Sequence, residues 1–290
     1  MNRFVPGSCL RLHLAILLSA PFAAQAAESY DNCTGYITSI PATISTQGTW
    51  CLKQDLATNI ASGAAITINT NNVTIDCNDF KIGGLAAGVG TATYGVFAQD
   101  RLNATIRHCN IRGFYVGVFF NGASGGGHSI EDNRFDGNTR FGMLIEGDGS
   151  VIRRNRIFDT GGTTGLANVF GIYSQFSVDI LDNTISDVVA TTGSDGAASG
   201  IYTDFNAGGR ISGNGVSGLM KDGAGVEYGI YNINSDRVSL RGNYVAGTVS
   251  TGSVGIGCTS SHDGARDNEI TGFVTAVATC TDGGGNTVIP

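Results

Sequence analysis

Two recurring phrases and an unusual composition predict an all-β chain folded as a solenoid of stacked coils. One phrase is an apolar residue, two or three polar ones, Asn, and a second apolar residue one or two positions later; the other is Gly followed by an apolar pair. Gly supplies 44 of the 290 residues, about twice ordinary usage, while only 14% are charged. Sparse charge and 41% apolar content argue against disorder, and the glycines lack the three-residue period of collagen. A net charge of −7 without a basic stripe argues against a nucleic-acid partner.

Residues 1–26 read as a secretory signal peptide rather than as part of the solenoid. Arg3 and Arg11 precede the apolar run Leu12 to Phe22, and Ala24-Gln25-Ala26 supplies a small-residue cleavage site. That run is too short to span a bilayer, and no later one is long enough to be a membrane helix. The expected product is secreted or periplasmic and begins near Ala27. Six cysteines remain in it, Cys33, Cys51, Cys77, Cys109, Cys258 and Cys280. An even number in an exported chain indicates disulfides, and the absence of C-x2-C spacing argues against a thiolate metal site. Spacing alone leaves their connectivity open.

The coils follow in order. The Asn phrase reads Ile106-Arg-His-Cys-Asn110-Ile111, Ile130-Glu-Asp-Asn133-Arg-Phe135, Ile152-Arg-Arg-Asn155-Arg-Ile157 and Ile180-Leu-Asp-Asn183-Thr-Ile185. It continues as Ile211-Ser-Gly-Asn214-Gly-Val216, Leu240-Arg-Gly-Asn243-Tyr-Val245 and Arg266-Asp-Asn268-Glu-Ile270, and fades at Asn286. The spacings from Asn110 to Asn268 are 23, 22, 28, 31, 29 and 25. Between them falls the Gly phrase, at Gly95, Gly117, Gly142, Gly171, Gly200, Gly229 and Gly255. Each repeat thus holds three short strands and cannot bury its own apolar face. Stacking parallel coils about 4.8 Å apart pairs every strand with its neighbours above and below. The period is too long for a hexapeptide helix and too short for a propeller blade. An Asn at a fixed turn is expected to adopt the left-handed conformation and bond the backbone of adjacent coils.

These phrases resemble the repeats of right-handed parallel β-helix proteins of the pectate-lyase-like superfamily, and Ile66-Thr-Ile-Asn-Thr-Asn-Asn-Val-Thr-Ile-Asp-Cys77 is similar to first coils of exported bacterial members. The resemblance covers about Ala64 to Val288. It implies a single right-handed parallel β-helix over residues 64–290, of about eight or nine coils, and an N-terminal cap over residues 27–63 that protects the open sheet edge. Comparable positions in consecutive coils then imply the pairs Cys77–Cys109 and Cys258–Cys280, leaving Cys33 with Cys51.

Alternation along the Gly-phrase strand turns Val96, Val118, Met143, Ile172, Ile201, Ile230 and Ile256 inward. The next residues face outward as a column: Phe97, Phe119, Leu144, Tyr173, Tyr202, Tyr231 and Gly257. A second outward column reads Gln99, Asn121, Glu146, Gln175, Asp204, Ile233 and Thr259. Aromatic rings beside amides and carboxylates suit a sugar chain, the rings stacking on pyranose faces and the polar groups taking hydroxyls. Phe97, Phe119, Tyr173, Tyr202, Tyr231, Asn121 and Gln175 are the expected binding residues. Long loops precede this strand in several coils, and side by side they should wall the face into a groove.

For cleavage, Glu146 and Asp204 lie two coils apart, roughly 9.6 Å, which is the wide end of the spacing used by inverting glycosidases. Elimination instead needs a base for the proton α to a uronate carboxylate and positive charge to hold the enolate. Lys221 in a wall loop and a tyrosine such as Tyr202, activated by a nearby cation, are the candidates. An acidic protein gripping an anionic polymer would call on Ca2+, for which Glu146, Asp195, Asp204, Asp222 and Glu227 are the available carboxylates. The Asp-Asp, Gly-His-Gly and Arg-Ile-Lys phrases of polygalacturonases and the Arg-x-Pro-x-x-Arg phrase of pectate lyases do not occur, so no catalytic set is carried over. The expected protein is a monomer that cleaves an extended, uronate-containing polysaccharide, with lyase ahead of inverting hydrolase. The alternative is a non-catalytic polysaccharide-binding or adhesin-like rod.

Overall fold

The computed structural model describes residues 32–289, so the segment read as a signal peptide lies outside it. The chain winds through three parallel sheets of 11, 11 and 10 strands, each coil adding one short strand to each sheet. Side-chain period explains why such short strands suffice. Each strand turns one or two apolar residues inward, and the coil above repeats the choice in register. In the first sheet Ile106, Ile130, Ile152, Ile180, Ile211 and Leu240 form one fully buried stack. In the second, Ile111, Phe135, Ile157, Ile185, Val216, Val245 and Ile270 do the same. The third stacks Val96, Val118, Met143, Ile172, Ile201, Ile230 and Ile256. Middle strands pair with the coils on both sides, which satisfies buried backbone groups in a chain with few charges.

The residues expected as a cap, where described, supply further strands of the same sheets. Ala42–Ile44 pairs with Ser62–Ile68, Gly48–Cys51 with Val73–Asp76, and Leu56–Ala57 with Lys81–Gly83. Disulfides join Cys33 to Cys51, Cys77 to Cys109 and Cys258 to Cys280.

The Asn phrase works differently from the expectation. The left-handed residue is the one before the Asn: Asp132, Arg154, Asp182 and Asp267, with φ of 53–56°, and Gly213 and Gly242 in the coils between; His108, at 50°, stands in the same way before Cys109. That turn swings the Asn side chain inward, at the corner between the first and second strands. Asn133, Asn155, Asn183, Asn214, Asn243 and Asn268 are all at most 3% exposed. Each donates from Nδ2 to the next Asn Oδ1 and to a strand carbonyl; Asn183, for example, reaches Asn214 and the Ile152 carbonyl, both at 3.0 Å. Asn110 is not part of this ladder. Register aligns Ile106 with Ile130, so the slot of Asn133 is filled in the coil before by Cys109. The ladder runs from Asn133 to Asn286, and the Cys77–Cys109 bond occupies the same corner where it stops.

Candidate functional site

The outer face of the third sheet is wider in aromatics than simple alternation allows, and the Gly column is the cause. A Cβ built on Gly171 would lie 2.5 Å from Ile185 Cγ2, on Gly200 2.3 Å from Val216 Cγ1, and on Gly229 2.1 Å from Val245 Cγ1. These glycines therefore face the core just as the residue after them does. The pairing skips them: Phe141 pairs with Phe170 and Met143 with Ile172. Two successive inward positions break the alternation, as a bulge does, and place the residue before Gly outward as well. Tyr94, Val116, Phe141, Phe170, Ser199 and Tyr228 form this extra column. The period-two reading passed over it, although a Gly at one position in seven coils was the available signal.

Together the columns make a second apolar cluster outside the solenoid: Val116, Phe141 and Phe170, with Tyr94, Tyr115, Phe119, Leu144, Tyr173 and Tyr202 packed against them. Tyr173 and Tyr202 stack with centroids 5.2 Å apart and planes within 10°. Phe170 meets both edge-on at 5.4 and 5.3 Å. Tyr202 continues to Tyr231 at 5.7 Å, and Tyr228 stacks on Tyr231 at 4.3 Å. The loops before the strand rise beside these rings. Asn168, Ala197, Gly225 and Val226 from three successive loops, with Phe170, Tyr173, Ser199, Tyr202, Tyr228 and Tyr231, line a cleft of about 340 Å³. The loops are held to one another, Asn168 Oδ1 accepting from the Ala197 N–H at 2.9 Å. Phe97 and Phe119 lie on the same face, in ring contact with Tyr94 and outside the cleft lining, and in register Leu144 stands between Phe119 and Tyr173.

The polar column flanks the rings. Glu146, Gln175 and Asp204 are in register, Gln175 donating to the Tyr173 hydroxyl at 3.0 Å. Glu146 Oε2 accepts from the Gly122 N–H at 2.9 Å, and Asp204, 8% exposed, accepts from Asn234 Nδ2 at 3.0 Å. Asn121, two coils before Gln175, lies outside the cleft lining.

The equipment expected for elimination is not assembled. Burial pushes the Tyr202 hydroxyl up to about 12, and the neighbouring Tyr173 and Asp204 add to that rise. Tyr173 is raised too, first by burial and further by Asp204 and Glu146, with Arg140 opposing them. Lys221 Nζ donates to the Gly223 carbonyl at 2.6 Å, and Lys221 is not among the cleft-lining residues. Three of the carboxylates considered for Ca2+ have partners within the loops. Asp195 accepts from the Ala224 N–H and Asp222 from the Asp195 N–H, while Glu227, 2% exposed, lies beside the Lys221 N–H and the Thr248 hydroxyl. Among the described residues no three His, Cys, Asp or Glu side chains gather as a metal site.

The cation at this face is Arg140, which sequence reasoning passed over because it lies in a turn outside both phrases. Its guanidinium lies over the Phe141 ring, 4.6 Å from the centroid, and Nη1 donates to the Tyr115 hydroxyl at 2.7 Å. Nε donates to the Asn168 carbonyl at 3.3 Å, on the cleft wall.

Comparison with known proteins agrees with this architecture. A family model described as right-handed β-helix region matches residues 57–193. The match falls within the stacked parallel sheets, and the fold of the described chain is that of a parallel β-helix. An alginate lyase from Paenibacillus sp. is 12% identical, with 89% of this chain and 99% of that one covered and a TM-score of 0.53. The Dettilon tailspike protein is 17% identical over 87% of this chain, which spans only 56% of the tailspike (TM-score 0.49). PfbA, a surface adhesin of Streptococcus pneumoniae, is 10% identical over 87% of this chain and 82% of its own (TM-score 0.49). No curated protein sequence matches the chain.

Proposed function

We propose that this is an exported protein that binds an extended polysaccharide in the tyrosine cleft and hydrolyses it between Glu146 and Asp204. The observation that carries the binding is the ring ladder Tyr173–Tyr202–Tyr231 under a wall of three loops. Ring faces remove the apolar faces of sugars from water, and the half-buried phenols keep polar ends for hydroxyls. The Paenibacillus alginate lyase is similar in fold alone, which leaves the chemistry to be argued from the site.

Hydrolysis fits the groups at the cleft better than elimination. One carboxyl protonates the glycosidic oxygen as the bond to the anomeric carbon breaks, and the other takes a proton from the water that attacks the opposite face. Two coil steps, roughly 9.6 Å, leave room for that water. Elimination would ask a phenol held up to about 12 to act as base with Lys221 turned to its own loop. The second reading is a binding rod without turnover, favoured by the protein donors that already occupy Glu146 and Asp204.

The test is incubation of the purified protein with acidic and neutral polysaccharides, with and without Ca2+, following reducing ends and unsaturated-uronate absorbance together. Hydrolysis gives reducing ends alone, abolished in Asp204→Asn and Glu146→Gln. Both signals rising would overturn hydrolysis in favour of elimination. Binding without either signal would leave the rod.

A further inference from the structure

Resting on that cleft, we propose that Arg140 is the specificity-determining residue for an isolated carboxylate, so that the ligand is a heteropolysaccharide carrying acidic sugars at intervals rather than a polyuronate. No residue lining the cleft is charged, and the two acids beside it, Glu146 and Asp204, would repel a polymer bearing a carboxylate on every sugar. The whole chain, at net −7, adds to that repulsion.

Arg140 alone breaks the pattern, and it is held rather than loose. Tyr115 and the Asn168 carbonyl each take one of its hydrogen bonds, and the Phe141 ring supports its plane. Among the described residues Arg140 makes no ion pair, a condition shared with Arg101 and Arg156, whereas Arg107, Arg112, Arg134, Arg153, Arg154 and Arg210 all have an acidic partner. These two bonds, from Nε and Nη1, use two of the five N–H groups and leave both of Nη2 and one of Nη1, and two such planar donors match a carboxylate in two-point contact. Its charge reaches Tyr173, at the near end of the cleft, against the two acids. A bound chain therefore meets one cation at the Phe141 coil, then uncharged rings at Tyr202, Tyr228 and Tyr231. That sequence of groups reads one acidic sugar followed by neutral ones.

The test uses the full mature protein and four probes: gellan and hyaluronan, each beside its carboxyl-reduced form, polygalacturonate, and dextran. Wild type is expected to bind at least one sparse-acid polymer about tenfold more tightly than its carboxyl-reduced form, the worth of one charge-assisted contact. Polygalacturonate is expected to bind more weakly than that polymer. Arg140→Gln should bring the ratio of native to carboxyl-reduced affinity down to about one, and Arg140→Lys should restore only part of that ratio. A preference that survives Arg140→Gln, equal binding of native and reduced forms by wild type, or tightest binding to polygalacturonate overturns the inference. Should Arg140→Gln not fold, Arg140→Lys decides: a smaller native-to-reduced ratio than wild type supports the inference and an unchanged ratio overturns it. Tyr202→Ala separates the two levels: if it leaves all binding unchanged the cleft reading itself fails, whereas loss of all binding there with no acid preference in wild type sinks only the role of Arg140.

Discussion

Asn183→Ala is the sharpest probe of the corner ladder. Asn183 Nδ2 donates to the Ile152 carbonyl and to Asn214 Oδ1, each at 3.0 Å. Its Oδ1 accepts from the Asn155 backbone N–H at 2.9 Å and from Asn155 Nδ2 at 3.0 Å. Alanine removes all four. Asn155 Nδ2 keeps the Ile130 carbonyl and Asn214 Oδ1 keeps the Asn183 N–H, but the Asn155 N–H is left buried without that acceptor. An orphaned buried donor costs about 1–3 kcal/mol and each of the three other lost bonds about 1 kcal/mol, which places the loss at about 4–6 kcal/mol. Asn110→Ala is the matched control. Asn110 shares the sequence phrase but stands outside the ladder, with one side-chain bond to the Asp79 carbonyl, and should cost about 1 kcal/mol or less. Urea unfolding followed by circular dichroism measures both. Equal losses in the two variants, or an Asn183→Ala loss below about 1 kcal/mol, would refute the ladder as a source of stability.

Three further outcomes follow from other parts of the fold. Gly200→Ala places a Cβ 2.3 Å from Val216 Cγ1 and should lower stability by about 1–3 kcal/mol in the same assay; a neutral result would contradict the inward-facing Gly column. Burial holds His128 down at about 4 against an ordinary value of 6.5, so the unfolded chain takes up a proton in this window that the native one refuses. Stability should therefore fall as pH drops from 6.5 toward 4, and an imidazole assigned to His128 titrating near 6.5 by NMR would negate it. Tyr202, raised to about 12, binds its proton more tightly folded than unfolded, so its contribution is present below pH 10 and lost between 10 and 12. In an alkaline absorbance titration Tyr202→Phe should delete a late-titrating phenol, and loss of an ordinary one instead would count against its burial.

The solenoid was legible because its determinants are local and periodic. An inward Ile stack and a turn of fixed conformation repeat in every coil, so spacing in the chain becomes register in the sheet. What escaped lies where identity and position part company. Asn110 matched the phrase by letter, while the place it seemed to fill belongs to Cys109, a substitution visible only once Ile106 is set against Ile130. The outer face was half legible. Period two found Tyr173, Tyr202 and Tyr231, but the inward glycines shift the phase and add Phe141, Phe170 and Tyr228. Arg140 was hidden for a different reason. Its role comes from the Tyr115 hydroxyl and the Asn168 carbonyl, contacts between coils that no repeat in the sequence encodes.

The claim on which the rest depends is that the tyrosine ladder is a sugar platform. Its most direct test is the affinity of wild type, Tyr202→Phe and Tyr202→Ala for the polysaccharide that binds wild type best, each variant first shown to be folded. Tyr202→Phe keeps the ring and should stay within a few-fold of wild type, whereas Tyr202→Ala removes the centre of the stack and should weaken binding about tenfold or more. Unchanged affinity in folded Tyr202→Ala would contradict the account.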